Sequence, residues 1–276
     1  MWETKNFYNI NGEKFILRLL RSIQNQFFNE IEIIFIDDFS LDDSIKLIQK
    51  FQKEDERLIL IKNKKNKGTL ISRNLGVLKS KGEYLTFPDS DDIFAKNIFK
   101  ICYEKIKRYN YEMIRFNIYE NKGYLLNLVK LLKNQKVYQP ELSNYIFYGL
   151  GYLKLSDFNV ANKFIKREAF IRTLNNIEKF YLNQKMVIYE DGLINYALHR
   201  YLNSFFLLKK IGYYYIVNKK KISYHKNKRK NKLRYFFLYL KFVFENSKNN
   251  RYEKYMAFYL FNKYKKNFKY IKKNFS

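Results

Sequence analysis

The sequence predicts an α/β fold, in which a Rossmann-like, mostly parallel sheet is flanked by helices and followed by a helical, basic C-terminal extension. Short apolar runs alternate with amphipathic segments through the first 120 residues, the pattern of βαβ units with right-handed crossovers. Two of the apolar runs end in acidic turns, where ligands bind in such sheets. A hydrophobic content of 47%, with nine Gly, two Pro and one Cys, excludes disordered, collagen-like and disulfide-framework proteins.

Helical periodicity marks four segments in the first half of the chain. Apolar residues three and four positions apart predict helices over 11–26, 44–51, 69–79 and 94–109. Ser40 and Ser44 offer capping hydroxyls before the second helix. Beyond Gly123 the alternation is less regular, and we predict helices over 123–133, 166–174, 191–199 and 232–273.

The predicted strands are short and apolar. The run Ile31–Ile36 is typical of a buried parallel strand, and the runs 57–62 and 83–87 have the same character. Pro88 ends the third run, because proline removes a donor from the ladder of hydrogen bonds. Further strands are predicted near 112–118 and within 205–217.

The charge is concentrated near the end of the chain. The net charge is +28, and residues 205–276 carry 21 basic and 2 acidic residues. A basic surface attracts nucleic acids and anionic membranes, but an A+T-rich coding sequence also explains the abundance of Lys, Asn, Ile, Tyr and Phe. No RRM, KH or zinc-knuckle pattern is present, so nucleic acid is not an expected partner.

The location is predicted from what the sequence lacks. It has no run of about 18 uncharged apolar residues, and its N-terminal residues carry charges where a signal peptide has its apolar run. We therefore expect a cytoplasmic protein, with peripheral contact to an anionic membrane through the basic tail as an open alternative.

The turn after the 83–87 strand contains Asp89, Ser90, Asp91 and Asp92. Carboxylates at alternate positions after a strand can hold a divalent cation that also binds diphosphate oxygens, which favours Mg²⁺ or Mn²⁺. Taken alone, an acidic turn of this kind is more often a helix cap than a metal site. The pair Asp37-Asp38, after the 31–36 strand, has the same ambiguity.

Four motifs nevertheless occur in a set order. They are Asp37-Asp38-x-Ser40, Asn66-x-Gly68-x-x-x-x-Arg73-Asn74, Gly82-x-Tyr84-Leu85-x-Phe87-x-Asp89-x-Asp91-Asp92 and Tyr189-Glu190-Asp191. Together they resemble the family 2 glycosyltransferases, which have the GT-A fold, over about residues 8–218. The resemblance implies a GT-A domain over 1–218, with a nucleotide-sugar part over about 7–120 and an acceptor part over about 121–218. A basic, aromatic, helical extension then covers 219–276.

The resemblance also implies an activity. A sugar would pass with inversion from a nucleoside diphosphate, expected to be a UDP-sugar, to a hydroxyl of a glycan, lipid or protein acceptor. The resemblance implies that Asp191 is the catalytic base and that Glu190 has an orienting role. It implies that Asp89, Asp91 and Asp92 surround Mg²⁺ or Mn²⁺. The residues that it implies at the nucleotide sugar are Tyr8, Asp37, Asp38, Gly68, Arg73 and Ser90. Surface pairing of Arg73, a dipole-favoured pair at Glu190-Asp191, and a metal-contacting His225 remain open alternatives.

The N-terminal segment departs from the family pattern, and this departure leads to an alternative hypothesis of function. Members begin with an apolar strand, whereas the segment 1–6 is too short and too polar to form it. We therefore expect the first strand to be missing and the chain to be less stable than one that has this strand. A truncated product or a catalytically impaired relative that binds a nucleotide sugar or glycan without turnover is therefore the second hypothesis. The third is an anionic-surface or RNA-binding module.

Overall fold

The computed structural model describes residues 3–9, 12–120, 135–138, 159–181, 190–216, 238–243 and 245. Its strands are β1 Glu3–Asn9, β2 Ile31–Asp37, β3 Leu58–Lys62, β4 Tyr84–Thr86, β5 Ile93–Phe94, β6 Met113–Glu120, β7 Gln135–Tyr138, β8 Lys163–Lys166 and β9 Ser204–Tyr215. Its helices are α1 Glu13–Gln24, α2 Ser44–Glu54, α3 Thr69–Lys79, α4 Ile98–Tyr109, α5 Arg167–Tyr181 and α6 Glu190–Tyr201. The segment 238–243 is also helical.

All the strands join one sheet, in the order β3-β2-β1-β4-β8-β6-β9-β5, and β7 also pairs with β9. Strands β1, β2, β3 and β4 are parallel to one another, and β8 is antiparallel to both of its neighbours, β4 and β6. Strand β6 therefore runs in the direction of β4, and β9 runs parallel to β6. As a result, the carboxyl ends of β2, β4, β6 and β9 lie along one edge of the sheet.

The expectation that the first strand is missing is wrong. Strand β1 lies between β2 and β4 and pairs with both, in a register from Glu3↔Ile31 to Asn9↔Asp37 on one side. The prediction failed because it relied on the polar residues of this segment. The hydrogen bonds between strands join backbone groups, which every sequence has, and strand propensity depends on context. The interior position is filled, and the expected loss of stability has no structural basis.

Each face of the sheet carries its own core. Helices α1, α2 and α4 cover one face, where Ile16, Phe35 and Phe99 are buried. Helices α3, α5 and α6 cover the other, where Leu70, Leu85 and Phe170 are buried, among others. Because both faces are covered, every residue of β2 is buried, as its largely apolar sequence predicts.

The region after the acidic turn differs from the prediction. The helix expected over 94–109 begins at Ile98, because Ile93–Phe94 form a short strand that pairs with Tyr213 and Tyr214 of β9. Asn97 precedes the helix in a left-handed conformation, with φ 65°. The 123–133 helix and most of the 232–273 helix fall outside the described residues. Where the tail is described, over 238–243, it is helical as predicted.

None of the helices in the described part of the chain is both long and apolar enough to cross a membrane.

Candidate active site

Three carboxylates meet in the acidic turn that follows β4. Oxygen atoms of Asp89, Asp91 and Asp92 lie within 4.8 Å of one another. Asp92 is buried, whereas Asp89 and Asp91 are partly exposed, as is Ser90 between them. A partly accessible set of carboxylate oxygens has the chemistry that Mg²⁺ and Mn²⁺ require, so the donor set fits the predicted ion.

Strand β9 fastens this turn from one side. The N–H of Asp89 donates to the hydroxyl of Tyr213 at 2.9 Å, and the N–H of Ile216 donates to Asp92 Oδ1 at 2.9 Å. The Tyr213 hydroxyl also donates to Asp92. Burial, with the charges of Asp92 and Asp89, raises the pKa of Tyr213 well above its usual value, so the hydroxyl keeps its proton. Sequence analysis missed Tyr213, because nothing distinguishes it from the other tyrosines of β9.

Helix α1 and a residue just beyond its end hold the same segment from another side. Arg18 and Ser22 are four residues apart and lie on one face of α1, and Gln26 follows the end of the helix. The contacts are from Arg18 Nη2 to the carbonyl oxygen of Asp91, from the N–H of Phe94 to Ser22 Oγ at 3.2 Å, and from Gln26 Nε2 to the carbonyl oxygen of Ala95 at 2.9 Å. The sequence could show only that these polar residues interrupt an apolar helix. The acidic turn and the residues after it are thus tied to α1 as well as to β9.

The two carboxylates of the Asp37-Asp38 pair have different surroundings. Asp38 is fully buried, and its oxygens accept four hydrogen bonds at 2.8 to 3.1 Å, from Asn63 Nδ2, Lys67 N–H, Gly68 N–H and Ser72 Oγ. Asp37 Oδ2 accepts from the N–H of Ser40, while Asp37 Oδ1 is buried without a hydrogen-bond partner. Asp38 therefore ties the 63–68 loop and the start of α3 to β2, whereas Asp37 Oδ1 is an acceptor without a donor among the described residues.

The backbone in this region takes two unusual conformations. Gly68, directly before α3, has φ 89°, which favours glycine because it has no Cβ. Phe39, next to Asp38, has φ 73° with a side chain that is 48% exposed. A bulky residue in the left-handed region stores strain, and such strain is often found at functional sites. Phe39 was also missed, since the sequence carries no sign of its backbone conformation.

Arg73 of α3 reaches the start of α6, which lies 118 residues further along the chain. Its Nη1 donates to Asp191 Oδ1 at 2.7 Å, and its guanidinium lies 5.6 Å from the ring centre of Phe87. Burial lowers the pKa of Arg73, but the charges of Asp191, Glu190 and Asp89 outweigh it and raise the pKa above its usual value. A permanent cation therefore lies among carboxylates from two distant motifs.

Glu190 precedes Asp191 at the first position of α6 and is buried. Burial and the neighbouring charge of Asp191 raise the pKa of Glu190 to about 8, although Arg73 opposes this shift. At neutral pH the carboxyl group is therefore mostly protonated and able to donate a hydrogen bond.

The remaining predicted residues are only partly described. The backbone of Tyr8 pairs with Ile36 in the register of β1 and β2, one residue before the sheet edge at Asn9↔Asp37. The roles predicted for Tyr8 and Ser90 at the nucleotide sugar stay predictions. His225 lies outside the described residues.

Comparison with known proteins shows the family to which this sequence is similar. Residues 7–174 match the family described as "Glycosyl transferase family 2". The chain is 30% identical over 109 residues to "Glycosyltransferase GlyG" of Streptococcus pneumoniae, covering 40% of this chain and 36% of the relative. It is 33% identical over 172 residues to "Poly(ribitol-phosphate) beta-N-acetylglucosaminyltransferase TarP" of Staphylococcus aureus, covering 59% and 51%. The match thus spans about a third to a half of these relatives.

A solved structure gives the same fold. Staphylococcus aureus TarS 1-349 in complex with UDP-GlcNAc superposes with a TM-score of 0.72 at 20% identity, over 88% of this chain and 67% of that chain. This likeness confirms the predicted GT-A fold. Because the family match covers more than half of the residues, the chain belongs to glycosyl transferase family 2.

Proposed function

We propose that this chain is a metal-dependent, inverting glycosyltransferase that uses a nucleotide sugar, a UDP-sugar in the first instance. The observation that carries the proposal is the ion pair between Arg73 and Asp191. It joins the motif of α3 to the motif of α6, and the field of Asp89 from the acidic turn also acts on the same guanidinium. Three segments that are remote in sequence thus bring charged groups close to one another, and we place the ligand site beside them, at the edge where the parallel strands end.

The donor would lie between the two acidic turns. Asp89 and Asp91 would hold Mg²⁺ or Mn²⁺, which when bound neutralises the charge of the leaving diphosphate. We assign to Asp37 Oδ1, which has no donor from the described part of the protein, a hydrogen bond from a base N–H. The UDP-GlcNAc bound by TarS supports a uridine donor, and the name of TarP supports an N-acetylglucosaminyl group as the first sugar to test.

Asp38 takes a supporting part in this proposal. Three of its four hydrogen bonds to the protein are accepted by Oδ1 and one by Oδ2, and the residue is fully buried. We therefore assign recognition of the nucleotide to Asp37 and Tyr8, and assign to Asp38 the shape of the loop that ends at Gly68.

The transfer step would use Asp191 as general base. The acceptor oxygen forms a bond to the anomeric carbon as the bond from that carbon to the diphosphate oxygen breaks, and the diphosphate keeps the electron pair. The hydroxyl proton passes to a carboxylate oxygen of Asp191. Attack opposite to the leaving group inverts the anomeric centre. Arg73 orients Asp191, and Glu190, protonated at neutral pH, orients the acceptor by donating a hydrogen bond.

The acceptor is proposed at the level of its class. TarP is named for a poly(ribitol-phosphate) acceptor, so a hydroxyl of a glycan-type polymer is the first acceptor to test, followed by lipid and protein acceptors. The division at residue 218 and membrane contact through the basic residues that follow also remain proposals. The impaired-relative hypothesis loses its main argument, because β1 is present.

The test is release of UDP from a panel of UDP-sugars with Mn²⁺ or with EDTA. We expect Mn²⁺-dependent release by the wild type, and a loss of about 10²–10⁴-fold in transfer for Asp191→Asn with unchanged UDP affinity. Equal transfer by Asp191→Asn and the wild type would remove Asp191 from the mechanism. Tight UDP binding without any turnover would favour the impaired relative.

A further inference from the structure

We propose that Tyr213 is a positioning residue for the acidic turn, and that its hydroxyl sets the spacing of the carboxylates that bind the cation. The inference rests on the proposed function. The Tyr213 hydroxyl accepts from the N–H of Asp89 at 2.9 Å and donates to the carboxylate of Asp92. One oxygen atom therefore joins the first and the last acid of the cluster.

The position of this oxygen is fixed by the packing of the strand that carries it. Phe94 of β5 pairs with Tyr213 in the sheet, and their rings meet edge to face with centres 5.3 Å apart. At Gly212 the backbone passes so close to Phe116 that a Cβ would lie 2.3 Å from the ring. The carbonyl oxygen of Gly212 also accepts from the N–H of Ala95 at 2.9 Å. The tyrosine cannot shift without disturbing this packing.

The chemistry of the cluster explains why such a link is useful. Three carboxylates within 4.8 Å repel one another when they are ionised. Asp92, which is fully buried, receives two hydrogen bonds, from the N–H of Ile216 and from Tyr213. The donor at Oδ1 and the tyrosine hydroxyl hold this carboxylate in place before any cation arrives. Groups that orient metal ligands in this way typically change metal affinity by about 10–100-fold when they are removed.

A matched pair of substitutions separates positioning from ordinary stability. Tyr213→Phe removes the hydroxyl and keeps the ring. Tyr84→Phe does the same at another fully buried tyrosine, whose hydroxyl donates to the carbonyl oxygen of Tyr111 at 2.8 Å. Tyr213→Phe loses the hydrogen bonds with Asp89 and Asp92, and Tyr84→Phe loses the one with Tyr111. We therefore expect both variants to melt at a lower temperature, with the larger decrease in Tyr213→Phe. Only Tyr213→Phe alters the acidic turn.

The measurements use the full chain. Mn²⁺ binding is followed by electron paramagnetic resonance without nucleotide, and UDP binding by calorimetry at saturating and at limiting Mn²⁺. We expect the Mn²⁺ dissociation constant to rise about tenfold or more in Tyr213→Phe and to remain unchanged in Tyr84→Phe. The weakened UDP affinity of Tyr213→Phe should recover at high Mn²⁺, which a general loss of folding would not allow.

The outcomes separate this inference from the proposed function. Equal Mn²⁺ affinity in Tyr213→Phe and a wild type that binds Mn²⁺ and UDP overturns the positioning role alone. Equal weakening in both tyrosine variants also overturns it, because the effect is then one of stability. A wild type that binds neither Mn²⁺ nor UDP removes the proposed function, and the inference with it.

Discussion

The acidic turns after β2 and β4 look alike in sequence and differ in structure. Each places adjacent aspartates at the carboxyl end of a parallel strand. After β2, Asp38 is fully buried and accepts four hydrogen bonds from the loop and helix that follow. After β4, Asp89 and Asp91 remain partly exposed, with oxygens gathered within 4.8 Å of those of Asp92. Protein donors nearby therefore decide whether an acidic turn supports the fold or is available to a ligand.

The largest effect should come from the turn that is available to a ligand. Asp91→Asn removes one negative charge from the cluster and leaves its volume unchanged, so we expect Mn²⁺-dependent UDP binding to be lost, with little change in the free energy of unfolding. Calorimetry with UDP and Mn²⁺ measures this. Asp43→Asn is the control, because Asp43 is an exposed acid whose ion-pair partner is Lys46. Unchanged affinity in Asp91→Asn would show that the two turns do not differ in metal binding.

At the turn after β2 we expect a substitution to reduce the stability of the fold instead of the binding of a ligand. Asp38→Asn replaces one carboxylate oxygen with an amide NH2 group, which cannot accept from donors such as the N–H groups of Lys67 and Gly68. Buried donors left without acceptors cost about 1–3 kcal/mol each. We expect the free energy of unfolding to fall by about 2–4 kcal/mol. Urea unfolding measures the loss, with Asp43→Asn again as control. If Asp38→Asn were as stable as the wild type, the supporting role of this turn would be incorrect.

The raised pKa of Glu190 predicts that the stability of the protein depends on pH. Its pKa in the folded state is about 8, against an ordinary value of 4.5, so its contribution to stability is present below pH 4.5 and is lost as the pH rises toward 8. Glu190→Gln cannot ionise, so its melting temperature should improve relative to the wild type between pH 5 and pH 8. The linked slope is at most about 1.4 kcal/mol per pH unit. A constant difference between the two proteins would contradict the raised pKa.

The smallest effect should come from Phe39. Glycine tolerates φ 73°, so Phe39→Gly should relieve strain and change stability by no more than about 1 kcal/mol, in the stabilising direction. Leu41→Gly is the control, since Leu41 is 82% exposed and does not have a positive φ. Thermal unfolding of both variants measures the difference. A destabilised Phe39→Gly would mean that the aromatic ring contributes contacts worth more than the strain.

The order of elements could be predicted because apolar periodicity records which residues face the core. It also placed both acidic turns at one edge, since parallel strands end together. It failed at β1, where backbone pairing with β2 and β4 outweighs a polar sequence. It also could not separate Asp37 from Asp38, because the donors around Asp38 come from residues 63–72.

The supports of the acidic turn were equally invisible in the sequence. The contacts of Arg18, Ser22 and Gln26 are with backbone groups, which every sequence contains. The shift at Glu190 arises from burial, which follows only from the assembled fold.

The helical segment 238–243 bears on how this protein can be divided for laboratory use. Its apolar side chains are buried in the same core as α6, with the ring of Phe242 5.9 Å from that of Tyr196. The hydroxyl of Tyr196 donates to the carbonyl oxygen of Val243 at 3.3 Å. Helix α6 begins with Glu190 and Asp191. An expression fragment that ends at residue 218 would expose to solvent the side of this helix that packs against 238–243. A fragment that keeps this core intact therefore has to include residues 238–243.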